Sequence, residues 1–376
     1  MTEFAPYSID RIILRRVSIP LHEPFRISNG EVSVKESVVI EIEGAGHIGF
    51  GEASPMSGSF YSADSPDSVW KALSEDLVPE LLGSTIDSPV SYANQLNDYG
   101  REPFARAGIE GAVWHHASNM QSTSISRLFG AKREPIPSGL AVGLYDTIET
   151  LLDRIEGFLR AGYQRTKIKI QPGWDIEPLQ AIRQKFGDIP LMVDANCAYD
   201  LNHDRNTLLA LDAFDLIMIE QPLKREALTE MAELQSMLRT PLCADESAET
   251  IESVQEIIRL DSARIINIKV QRVGGLWNAV QMLETARKAG LGCWLGTMPE
   301  LGIASAQALA VAALTGFTYP TDVEASARWF TDDIVSPQIK IASNGTIEPP
   351  LETGMGYEVD HEKLRQYTTQ EASFSR

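Results

Sequence analysis

From residue 138 onward the chain repeats one pattern: a short β-branched or apolar run, a few loop residues, then a stretch with apolar positions three and four apart. The runs "GLAVGLY" (139–145), "TKIKI" (166–170), "PLMVDAN" (190–196), "LIMIEQ" (216–221), "PLCADES" (241–247), "RIINIKV" (264–270), "GCWLGT" (292–297) and "FTYPTDV" (317–323) read as eight strands. Stretches such as "TIETLLDRIEGFLRAG", "IEPLQAIRQKFG" and "LWNAVQMLETARKAG" read as amphipathic helices between them. Gly162, Gly187 and Gly290 suit left-handed helix stops before the next strand. Strands and helices in alternation, with no helix convincing after the last strand, predict an α/β fold: a (β/α)7β modified TIM barrel over residues 131–334.

The first 130 residues follow another order. "RIILRRVSIPL" and "VKESVVIEIE" read as strands, and "SPDSVWKALSEDLVPELL" and "FARAGIEGAVWHHASNM" as helices, an α+β capping domain over residues 1–130. The Pro- and Gly-rich "FGAKREPIPSG" (129–139) marks its boundary, and the tail from about 335 to 376 is expected to return and complete it.

Charge narrows the partners. With 33 basic against 52 acidic residues and a formal net charge of -19, neither nucleic acid nor an anionic membrane is expected, and a small carboxylate substrate is. Three cysteines without paired spacing suit reduced thiols. No sustained apolar stretch follows a basic start, so a cytoplasmic protein is expected.

Three of the barrel strands end in carboxylates: Asp194 in "VDAN", Glu220 in "IEQP" and Asp245 in "ADES", 26 and 25 residues apart, one βα unit each. Adjacent strands lie about 4.8 Å apart, close enough for three carboxylates to share one ion. Unshielded, such like charges would repel until some protonated; a hard divalent cation, Mg²⁺ or in its place Mn²⁺, resolves this and leaves open positions. Caps on the following helices are the alternative for each acid singly. Lys167 and Lys169 share one face of the second strand, and Lys269 ends the sixth, four strands away and so across the barrel mouth. Amines on two sides of a cation-bound carboxylate suit removal of the adjacent carbon's proton, because the enediolate that results carries charge the cation neutralises as it develops. A lysine of ordinary pKa, about 10.4, must come down toward about 7–8 to serve as base, and a neighbouring lysine and a cation both push that way. A buried salt bridge with the acids is the other reading of Lys167.

Lys-x-Lys, Asp, Glu, Asp and Lys at successive strand ends resemble the enolase superfamily in its muconate-lactonizing-enzyme subgroup. "KIKIQPGWDIEPLQAIR", "VDANCAYDL", "IEQPL", "DES" and "NIKVQRVGG" are most similar to the o-succinylbenzoate synthase and N-acylamino acid racemase family. The resemblance implies a Mg²⁺-dependent lyase or isomerase forming an enediolate, with Lys169 and Lys269 as acid/bases and Lys167 tuning them. It further implies Asn196 beside the metal or substrate carboxylate and Arg272 behind Lys269. "EPFRISNG", with Phe25, is similar to a substrate-covering loop, and Tyr61 in "MSGSFYS" and Met298 and Glu300 in "TMPE" are expected to shape the pocket. Val270–Gln271, where the family often has Pro-Gly, and "GTMPELGIAS", for the more usual "GGMxExGIG", are departures that bear on substrate specificity. Muconate cycloisomerase-like or dipeptide epimerase-like activity is the alternative, although no Asp-x-Asp element is evident in "PTDVEASARWF", and a non-catalytic metal- or ligand-binding barrel comes third. A homo-oligomer is expected.

Overall fold

The computed structural model describes residues 4–28, 30–57, 62–131 and 133–376. Strands β1 (Arg11–Ile27), β2 (Gly30–Gly44) and β3 (His47–Ala53) form an antiparallel meander, and the segment Thr368–Ser375 pairs with the outer edge of β1. Side chains alternate across such a sheet. Val38, Ile40 and Ile42 therefore pack on Phe104, Ile109 and Val113 of helix α1 (Pro103–Met120), while Val39 joins the core of the barrel. The helix lies very close to the sheet: a Cβ on Gly51 would stand 1.9 Å from the Gly108 carbonyl oxygen.

Seven parallel strands, β4 (Leu140–Val142), β5 (Thr166–Lys169), β6 (Leu191–Asp194), β7 (Ile219–Glu220), β8 (Leu242–Ala244), β9 (Ile265–Ile268) and β10 (Gly292–Leu295), lie side by side in chain order. Helices α2 (Ile148–Ala161), α3 (Ile176–Phe186), α4 (Leu201–Ala210), α5 (Leu228–Met237), α6 (Ile251–Leu260), α7 (Leu276–Lys288) and α8 (Gly302–Ala312) follow them in turn. Both faces of the sheet are covered, which is why the strands read as nearly unbroken apolar runs.

The eighth position differs from the expectation. Residues 317–323 form no continuous strand, because Pro320 has no amide to donate to a ladder. The segment closes the barrel through separate bonds to either side: the Asp322 amide donates to the Leu295 carbonyl (2.9 Å) and the Gly139 amide to the Thr321 carbonyl (2.7 Å).

Two buried glutamates of the N-terminal domain cap barrel helices that have no side-chain cap of their own. Glu52 accepts from the Leu301 (3.1 Å) and Ala304 (2.9 Å) amides at the start of α8, and Glu110 from Leu276 (2.5 Å) and Trp277 (2.9 Å) at the start of α7. The glycine pair 274–275 is what makes room: a Cβ on Gly275 would lie 2.0 Å from the Glu110 carboxylate. Replacing Glu110 by Ala strands those amides and should cost about 2–3 kcal/mol, measured by denaturant unfolding. Burial lifts Glu110 from 4.5 to about 7, against the hydrogen bonds that favour its charged form. Its protonated form is therefore favoured in the folded chain, so this share of stability is full below pH 4.5 and is lost as pH rises toward 7. Glu110→Gln, always neutral, should flatten that part of the pH–stability curve; an unaltered curve would contradict the assignment.

Candidate active site

The strand register brings the acids and lysines to one level. Lys169 pairs with Asp194 across β5 and β6, Asp194 with Glu220 across β6 and β7, and Asp245 follows β8 by one residue. The turn after β6 puts Asn196 and Cys197 at positive φ (43° and 65°), which lets the Asn196 amide reach back to Asp194 Oδ1 at 3.1 Å. Gln221 braces the next strand ends, accepting from the Asp245 (2.9 Å) and Ser247 (3.1 Å) amides.

Each lysine has its own acid. Lys169 Nζ donates to Asp194 Oδ2 (2.6 Å) and Asn196 Oδ1 (2.7 Å). Lys269 Nζ donates to Asp245 Oδ2 (2.8 Å), whose other oxygen pairs with Arg272. Arg272 thus meets Lys269 through the carboxylate they share. Lys167 lies 2.5 Å from Asp322, 3.4 Å from Glu220 and 3.7 Å from Asp194, with the Trp294 ring 4.8 Å from its Nζ. All these groups are buried.

Burial works against the Lys167 charge, but Asp322, Glu220 and Asp194 outweigh it and raise its pKa above the ordinary value. Lys167 is thereby held as a cation. Asp322 is pushed up by burial and pulled further down, to about 2, by Arg165 and Lys167. Asp194 and Asp245 are likewise held below the usual range, the first by Lys169 and Lys167, the second by Arg272 and Lys269, each against its own burial. Glu220 goes the other way, to about 8, through burial and the repulsion of Asp194 and Asp245. Asp322→Asn would leave Arg165 and Lys167 buried without their shared partner, and an unfolding free energy lower by about 3–5 kcal/mol is expected in urea titration.

Among the described residues no three His, Cys, Asp or Glu side chains stand converged as a formed metal-holding group; the lysine ammoniums pair with the carboxylates instead. The donor set nevertheless suits a hard divalent ion. It consists of carboxylate oxygens on three adjacent strand ends, and the buried Glu220 Oε2 accepts no hydrogen bond, its ion-pair neighbour Lys167 Nζ standing 3.4 Å away.

Lys167, Lys169, Asn196 and Lys269 line one pocket of about 40 Å³ together with Met56 and Met298. Phe25 also lines it, held edge-on by Trp329 at 5.0 Å. "EPFRISNG" is less of a loop than expected, since β1 runs through Ile27 and β2 begins at Gly30. Glu300 lies behind the pocket, accepting from the Met298 amide (3.2 Å), and burial lifts it to about 8. Tyr61 lies outside the described residues. Sequence reasoning gave no role to Asp322 and Glu324, which also line the pocket; carboxylates two apart at the eighth strand end were the available signal.

Residues 9–130 match the mandelate racemase / muconate lactonizing enzyme N-terminal domain, and residues 150–363 the enolase C-terminal domain-like family. The chain belongs to the enolase superfamily and is one of its enzymes. Within it, the chain is 36% identical to an o-succinylbenzoate synthase of Geobacillus kaustophilus over 96% of each chain. It is 37% identical to an N-succinylamino acid racemase of Amycolatopsis sp over 95% of this chain and 96% of that one. A solved enolase-superfamily member from Listeria innocua superposes with a TM-score of 0.93 at 33% identity, covering 98% of this chain and 99% of that one. No helix among the described residues is long and apolar enough to cross a membrane.

Proposed function

We propose that the chain abstracts the proton α to a substrate carboxylate, forming an enediolate that either loses water, as in o-succinylbenzoate synthesis, or regains a proton on the opposite face, racemising an N-succinylamino acid. The observation that carries this reading is the placement of Lys169 and Lys269 at strand ends four apart in the sheet, lining one pocket with the three acids on the strands between. Asp194, Glu220 and Asp245 would hold one Mg²⁺. When bound, that ion supplies the positive charge that lowers the cost of an enediolate. Lys169, oriented by Asn196 Oδ1, takes or returns a proton at Nζ on one face, and Lys269, oriented by Asp245, does so on the other. Lys167, fixed by Asp322, stays charged and adds to the positive field. Phe25, Met56 and Met298 keep water from the reacting carbon.

The dipeptide epimerase alternative loses support because Asp322 is committed to Arg165 and Lys167. Assays on N-succinyl amino acids and on the hydrated precursor of o-succinylbenzoate test the proposal. Turnover of one or both is expected. No α-proton exchange in deuterated water with any of them would sink it.

A further inference from the structure

Gln271 follows Lys269 by two residues, is 2% exposed, and commits its whole carboxamide to the N-terminal domain. Its Oε1 accepts from the Ser54 amide at 2.9 Å and its Nε2 donates to the Glu52 carbonyl at 2.9 Å. One strand pairs with another through this same donor-and-acceptor pattern; here a side chain makes it. The Glu52 carboxylate meanwhile holds the start of α8, directly after the pocket residues Thr297, Met298 and Pro299. Within the domain, Lys35, itself 1% exposed, donates to the Pro55 carbonyl at 2.6 Å.

Residues 52–55 are therefore fastened to two barrel loops and to their own sheet just before the chain reaches Met56. Met56 faces the pocket that Lys269 and Met298 also line. A larger substrate group beside the reacting carbon presses on Met56, one of the side chains that line the pocket. The bonds to Gln271 hold the backbone two residues before Met56 and so limit how far that segment can draw back with it.

We propose that Gln271 is a positioning residue: it clasps the N-terminal domain to the Lys269 loop and so limits the size of the group a substrate carries next to the carbon being deprotonated. The inference rests on the proton-abstraction reading above. It concerns a residue that neither touches substrate in that reading nor takes part in proton transfer.

Gln271→Met keeps the length of the side chain and removes both hydrogen bonds, with Gln271→Ala as the second variant should the first not fold. Two readouts separate the claims. Hydrogen exchange of the Ser54 amide should accelerate about five-fold or more on loss of its acceptor. Across N-succinyl amino acids of increasing side-chain size, the ratio of kcat/KM for bulky over small members should rise about ten-fold, chiefly through KM, the scale of one or two methylenes in an apolar pocket. Unchanged exchange at Ser54 would overturn the clasp. Faster exchange with an unchanged ratio, or an equal loss on every substrate, would overturn the specificity role. Failure of the parent chain to act on every member and on the hydrated precursor of o-succinylbenzoate would instead sink the proton-abstraction reading, and exchange at Ser54 would still decide the clasp.

Discussion

Lys169→Ala and Lys269→Ala are each expected to lower net racemisation by at least about 10³-fold, the scale of a lost general acid or base, while leaving different halves of the reaction alive. In deuterated water one variant should still exchange the α-proton of a single enantiomer, and the other variant that of its mirror image. The reason is geometric. Lys169 reaches the pocket from β5 and Lys269 from just past β9, and Asn196 and Asp245 hold their Nζ atoms to opposite flanks of the acid trio. A base on one face cannot take a proton from the other unless the substrate carboxylate turns over. Exchange of both enantiomers at parental rates by both variants would show that neither lysine is a base.

The second large effect concerns the acids. Treatment with a chelator should abolish activity, and added Mg²⁺ should restore it. Glu220→Gln should weaken Mg²⁺ binding by about 10²-fold in titration calorimetry, because it takes one of three charges from the donor set. Glu220 is the informative choice since burial and the Asp194 and Asp245 charges make it the least comfortable anion of the three without a cation. Parental affinity in this variant would remove Glu220 from the ligand set, whatever happened to turnover.

What was legible in the sequence was what local spacing expresses. Two lysines at a period of two share a strand face, and acids one βα unit apart reach the same depth, so these groups stood out without any knowledge of tertiary contacts. Apolar runs marked the seven strands for a similar reason, both faces being buried. The eighth was misjudged because its β-rich composition hid Pro320 within the run. The partners of Asp322 and Gln271 were illegible for a different cause. Asp322 acquires its meaning from Lys167, 155 residues away, and Gln271 from Glu52, 219 residues away. Nothing near either residue announces those partners. The opposite protonation tendencies of Lys167 and Glu220 likewise come from burial and from charges on other strands.

The pairing of Thr368–Ser375 with the outer edge of β1 sets an order on biosynthesis. On the ribosome, β1, β2 and β3 emerge first and can form their meander at once, yet the edge running from Arg11 to Val17 has no native partner until the last residues of that strand have been made. Throughout synthesis of the barrel it presents open backbone amides and carbonyls, the kind of surface that recruits foreign strands. Arg11, Arg15 and Arg16 occupy that stretch, paired with Glu43, Glu41 and Glu36 of β2, and such charged side chains along an open edge discourage an intruding strand.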